Sequence, residues 1–148
     1  MTIYIDADAC PVREEIITIA LRHDHPVMMV CNGGIRPYPH TLIGLHIVPS
    51  GPDEADKWIA DAIESNDILV TSDIPLAAKA VEKSAHVLRP DGSILDAQNI
   101  GNILATRDLM ADIRAADVFH QSKSTPFSKA DRGRFSQQLD QILRKSSS

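Results

Sequence analysis

Short apolar runs alternate along this chain with segments in which apolar residues recur at helical spacing. Ile3–Ile5, Val27–Cys31, Leu45–Val48, Ile68–Thr71 and Val87-Leu88 predict five short strands. Val27–Cys31 is continuously apolar, the mark of a strand buried on both faces. Between the strands, helices are predicted over Val12–Leu21, from about Asp53 to Ser65, and from Pro75 to Lys83. Asn32-Gly33-Gly34, extended by Pro37 and Pro39, marks a loop, and Pro49-Ser50-Gly51-Pro52 ends the third strand. Further on, Asp96 to Ala116 has helical character and Ser122–Pro126 forms a loop. Ser128 with Asp131 then resembles a capping box opening a last helix to about Lys145. Strands joined through single helices need crossover connections. The expected fold is therefore α/β, a three-layer sandwich with a mainly parallel sheet, in one domain over residues 1–148.

Composition narrows the setting. At 148 residues the chain can bury a proper core. No apolar stretch is long enough to span a membrane, and the N-terminus has strand character rather than that of a signal segment. The two cysteines, Cys10 and Cys31, form neither a disulfide framework nor a metal-ligand spacing, so the expected setting is cytoplasmic. Net charge is −5, unevenly spread: residues 1–100 carry 7 Lys/Arg against 15 Asp/Glu, and residues 101–148 carry 8 against 5. An acidic body with a basic tail disfavours broad coating of nucleic acid but permits a local phosphate-binding patch.

The chemistry sits where strands end. In a βαβ unit the helix after a strand begins at that strand's C-terminal edge, the edge at which open α/β sheets bind ligands. Asp6 and Asp8 end the first predicted strand, just before Pro11. Asp73 follows the Ile68–Thr71 strand, and Asp53, Glu54 and Asp56 open the helix after the third strand. Any one of these acids could be a helix cap or a first-turn complement to the helix dipole. Together on one rim they repel, unless a cation or protons intervene. On a helical wheel Asp56 flanks the apolar stripe of Ala55, Trp58, Ile59, Ala62 and Ile63, whereas Asp53 can pair with Lys57 on the outer side.

Carboxylates without neighbouring Cys or His suit a hard, oxygen-binding cation, Mg²⁺ or Mn²⁺ rather than zinc. The candidate ligands are Asp6, Asp8, Asp53, Asp56 and Asp73, with Asp6, Asp8, Asp56 and Asp73 as the catalytic set. Such a site activates water and offsets the charge of a phosphodiester. Basic residues available to a substrate are Arg13, Arg36, Lys79, Lys129, Arg132 and Arg134. Cys10 precedes a helix start, where a dipole lowers a thiol pKa, but no His adjoins it and a small buried cysteine is the commoner case.

Ile3-Tyr4-Ile5-Asp6-Ala7-Asp8-Ala9-Cys10-Pro11, Asp53-Glu54-Ala55-Asp56-Lys57-Trp58-Ile59 and Val70-Thr71-Ser72-Asp73-Ile74-Pro75-Leu76-Ala77 resemble the signatures of the uncharacterised bacterial YaiI/YqxD family. Pro126-Phe127-Ser128 through Asp131-Arg132-Gly133-Arg134-Phe135 resembles that family's C-terminal signature, so the likeness runs through essentially the whole chain. The family is similar to PIN-like domains, metal-dependent ribonucleases with clustered acids at the C-terminal edge of the sheet. That resemblance implies an endonuclease-like site, with Asp6 as the acid ending the first strand and Asp73 as the acid of the Thr-x-Asp stretch. The central acid, usually Glu in PIN domains, falls among Asp53, Glu54 and Asp56, and a fourth at Asp91 or Asp96. Ser122-Lys123-Ser124-Thr125 departs from the Gly-Pro pair expected before Pro126.

Three functions compete. The first is a Mg²⁺- or Mn²⁺-dependent nuclease acting on RNA or another nucleic acid. A phosphatase of the haloacid-dehalogenase type would use Asp6-Ala7-Asp8 as nucleophile and general acid, but it also needs a later Lys and a second acidic motif, for which Asp91-Gly92 is a poor match. The third is a nucleic-acid- or protein-binding module without turnover.

Overall fold

The computed structural model describes residues 2–7, 10–51, 53–105 and 128–147, with side chains to residue 145 in the last segment. Strands β1 (Ile3–Asp6), β2 (Val27–Cys31), β3 (Ile43–Ile47), β4 (Ile68–Val70), β5 (His86–Leu88) and β6 (Ile94–Leu95) form one sheet in the order β3-β2-β1-β4-β5-β6. All pairings are parallel except β5 with β6. The helices are α1 (Arg13–Arg22), α2 (Glu54–Ala62), α3 (Ile74–Glu82), α4 (described over 100–105) and α5 (Lys129–Ser147).

Alternation along the strands sorts the core into two layers. Ile3, Ile5, Val27, Met29, Ile68 and Val70 face α1 and α5, which contribute Ile16, Ala20, Phe135, Leu139 and Leu143. Val30, Leu69, Val87 and Leu95 face α2, α3 and α4 on the other side. The result is a three-layer α/β sandwich whose central strand, β1, has Ile3 and Ile5 fully buried. Phe135, Leu139 and Leu143 recur every four residues and are fully buried, so α5 presents one apolar stripe to the sheet. The predicted capping box forms. The Ser128 hydroxyl accepts from the Asp131 N–H at 3.1 Å, and the Asp131 carboxylate accepts from the Ser128 N–H at 3.0 Å.

Three local differences separate structure from expectation. β3 begins at Ile43 rather than Leu45, because Ile43 is buried beside β2 while Gly44 interrupts the apolar run. As the sheet's edge strand it leaves Ile47 61% exposed. β6 is a sixth strand that the pattern did not announce. It folds back on β5 through a tight turn in which Gly92, at φ +93°, donates its N–H to the Arg89 carbonyl at 2.9 Å. α2 starts at Glu54 with Asp53 held left-handed before it at φ 65°, so Lys57 approaches Glu54 (3.9 Å) instead of pairing with Asp53. Most of the predicted helix Asp96–Ala116 and all of the Ser122–Pro126 loop lie outside the described residues. No helix among the described residues is long and apolar enough to cross a membrane.

Candidate functional site

The C-terminal edge of the sheet gathers its acids through register. Ile5 pairs with Val70, so Asp6 ends β1 at the level where Thr71 follows β4. Thr71 is itself held by its N–H to the Leu88 carbonyl (3.1 Å), and its hydroxyl accepts from the Asp73 N–H at 3.0 Å. Asp73 then caps α3, one carboxylate oxygen accepting from the Leu76 N–H at 2.8 Å, with Pro75 in the first turn. The capping role weighed for Asp73 is thus real, and it engages one of two carboxylate oxygens.

Two small adjoining cavities open on this edge. One, of about 150 Å³, is lined by Asp6, Asp56 and Asp73 together with Cys10, Thr71 and Ser72. The other, of about 100 Å³, is lined by Asp6, Asp53 and Asp56 with Asn32 and Glu54. Asp6 and Asp56 border both. Of the predicted acids, the structure therefore brings Asp6, Asp53, Asp56 and Asp73 to one rim, while Asp8 lies outside the described residues. Among the described residues, however, no three His, Cys, Asp or Glu side chains form a group that could hold a metal ion.

Electrostatics show the strain of this crowding. Burial pushes the Asp56 carboxyl up to about 6, helped by the charge of Asp73, a hydrogen bond with the Asp73 carboxyl, and the charges of Asp6 and Asp53. Below about pH 6 a proton on Asp56 offsets part of this repulsion. Asp53 adds a backbone signal. Its left-handed conformation is tolerated by Asp, yet its side chain makes no capping hydrogen bond. Burial also lifts the Cys10 thiol to about 11, so this cysteine borders the acids as an un-ionised group.

The other candidates scatter. Asp91 accepts from the Ser93 N–H (2.9 Å) within the β5–β6 turn, and Asp96 accepts from the Gln98 and Asn99 N–H groups ahead of α4. Neither lines either acidic cavity. Arg132 donates to the Pro11 carbonyl (2.9 Å) and to Glu15 (3.0 Å), tying α5 to the start of α1, and Arg134 pairs with Asp131. Lys129 is exposed at the start of α5, and Lys79 is exposed in the last turn of α3. Arg13 and Arg36 line a separate, larger cleft. Tyr38 lines that cleft too. Its signal in the sequence is an aromatic residue beside a basic one in the Arg36-Pro37-Tyr38-Pro39 loop.

The profile of the family described as "Uncharacterized BCR, YaiI/YqxD family" matches residues 4–145. The chain is similar to a UPF0178 protein of Cereibacter sphaeroides, 57% identical over 143 residues that cover 97% of this chain and 89% of the relative. It is also similar to UPF0178 proteins of Roseobacter denitrificans (54% identical; 97% and 95% covered) and Rhodospirillum centenum (46%; 97% and 95%). No solved structure matches it.

Proposed function

The chain belongs to the uncharacterised YaiI/YqxD family, and from its acidic rim we propose that it is a Mg²⁺- or Mn²⁺-dependent nuclease, hydrolysing phosphodiester bonds of RNA foremost. The observation that carries this reading is the meeting of Asp6, Asp56 and Asp73, from three separate elements, around one cavity at the C-terminal edge of the sheet. The fold keeps these acids together although burial, and after it the charges of Asp73, Asp6 and Asp53, raise the Asp56 carboxyl to about 6. A site that tolerates such repulsion favours a cation.

The donor set fits a hard divalent ion in its chemistry: carboxylates from Asp6, Asp53, Asp56 and Asp73, with the Asn32 amide and the Thr71 and Ser72 hydroxyls nearby. Among the described residues they do not already form a group of three that could hold the ion. Binding it requires Asp56 in its ionised form, which prevails above about pH 6. When bound, the ion would lower the pKa of water and offset charge on the phosphate. Asp6 ends the central strand, and Asp73 offers the oxygen that its cap leaves over. The resemblance to PIN-like domains supports the same assignment, with acids after β1 and β4 and at the start of α2. The phosphatase alternative is not favoured, because Asp91 is committed to its own turn.

The test is cleavage of labelled single-stranded RNA by purified protein with Mg²⁺, with Mn²⁺ and with EDTA. Cleavage is expected only with metal, and to fall by about 100-fold or more in Asp6→Asn and in Asp73→Asn. Cleavage indifferent to EDTA, or undiminished in both variants, would refute the reading.

A further inference from the structure

A cleft of about 610 Å³ lies between the outward face of α1 and the loop that follows β2. Its volume lies in the range that takes one small organic ligand. Met29 of β2 and Ile17 of α1 supply apolar surface, and Arg13, Glu14, Arg36 and Tyr38 supply the polar lining. Among the described residues neither Arg13 nor Arg36 has an ion-pair partner. Two guanidinium groups and one carboxylate leave an excess of a single positive charge, the complement of one phosphodiester. Tyr38 is 41% exposed and belongs to neither core cluster. The backbone nevertheless holds it: the His40 N–H donates to the Tyr38 carbonyl at 2.8 Å, and the Ile43 N–H to that of His40 at 3.1 Å. An exposed aromatic ring on a braced loop, with two arginines lining the same cleft, is a stacking platform next to a phosphate site.

The cleft adjoins the acidic rim. Asn32 borders the smaller acidic cavity, and Gly34, two residues on, borders the cleft. On the other side, Cys10 borders the acids and Arg13, three residues later, borders the cleft. We infer that this cleft seats one nucleotide of a single-stranded nucleic acid, its base on Tyr38 and its phosphate at Arg13 and Arg36, with the adjoining strand led to the acids. The inference rests on the nuclease reading for what happens at the acids. The seat itself is a binding site that can be measured without cleavage. A paired base remains stacked in its duplex and cannot lie on Tyr38, so the occupant is single-stranded.

The experiment is fluorescence anisotropy of the full chain with a short labelled oligouridylate and its DNA counterpart, in EDTA. Binding of either strand supports the seat and identifies the sugar it accepts; binding of neither overturns it. Tyr38→Ala should weaken binding about tenfold or more, and Tyr38→Phe, which keeps the ring, should restore it. Arg36→Ala should weaken binding and flatten its log–log salt dependence by about one. Both positions lie on a surface loop, and unchanged circular-dichroism melts would show that the variants fold. Wild-type affinity in both Tyr38→Ala and Arg36→Ala overturns the proposal. So does equal affinity for a duplex, or competition by uridine monophosphate as strong as by the oligomer. Cleavage is measured separately. Strand binding that obeys these rules without metal-dependent cleavage removes the nuclease reading and leaves the seat. Cleavage with unchanged KM in both loop variants removes the seat and leaves the nuclease.

Discussion

Replacing Asp56 with Asn should make this protein more stable at neutral pH, contrary to what most substitutions at partly buried sites do. The reason lies in the carboxyl's shift from 3.8 to about 6. Below about pH 4 Asp56 is protonated in both the folded and the unfolded chain. Between there and pH 6 the folded chain keeps a proton that the unfolded chain has lost, so the favourable contribution fades as pH rises through the folded value. Above it, the ionised carboxylate is partly buried and faces Asp73, Asp6 and Asp53, so the folded state carries the full cost of desolvation and repulsion. A difference of about two pH units corresponds to ~3 kcal/mol. Asp56 is partly exposed, and solvent screening reduces this to about 1–2 kcal/mol. The Asn amide mimics the protonated acid and still donates toward Asp73. Thermal melts at about pH 8 should then show the variant above wild type by roughly 3–6 °C, a gap that closes near pH 4. Subtracting wild type from variant at each pH cancels the other acids, such as Asp131 and Asp140, whose carboxyls are held low. A variant that is less stable than wild type at pH 8, or a gap that does not change with pH, would refute the account.

Other consequences can be checked as directly. Mn²⁺ should raise the melting temperature of wild type at about pH 8 and much less at about pH 5, where Asp56 keeps its proton; equal shifts at both would contradict the proposed loading. Gly92→Ala should destabilise the chain, because the added methyl would sit 2.9 Å from the Arg134 backbone at a φ of +93°; an unchanged melt would count against that packing. Phe135→Ala should cost about 3–5 kcal/mol in a denaturant titration, since this fully buried ring anchors α5, and a loss below ~1 kcal/mol would mean that α5 is not docked as described. With its thiol raised to about 11, the half-buried Cys10 should react slowly with a disulfide reagent at neutral pH, so a rapid stoichiometric reaction would contradict the raised thiol.

What could be read in the sequence depended on which physical rule fixed each position. Asp6 and Asp73 were legible because parallel crossover connections leave only one edge on which such strand ends can meet. The choice between Asp53 and Asp56 was half legible. The apolar stripe placed Asp56 beside the core, but nothing in the pattern announced that Asp53 would turn left-handed and release Lys57 to Glu54. β6 carries no readable signal, because two residues, Ile94 and Leu95, are too few to show a period. The basic residues show the limit most clearly. Sequence supplies their charge but not their partners, and Arg132 and Arg134 are engaged within the fold while Arg13 and Arg36 face a cleft. Tyr38, as an exposed aromatic, acquires meaning only from its neighbours in space.

The docking of α5 on α1 also bears on how the chain is made. Arg132 meets Glu15 and Asp140 meets His23, each across 117 positions of sequence. During translation the N-terminal strands and α1 emerge first, with Ile3, Ile5 and Ile16 lacking the helix that covers them. At ~5–20 residues per second, the roughly fifty residues from β6 to the end of α5 take about 3–10 s to synthesise. For that interval one face of the nascent sheet stands open to chaperones and to other nascent chains. A truncation within α5 would prolong that exposure indefinitely, so premature termination there should yield aggregates rather than a shortened, working protein.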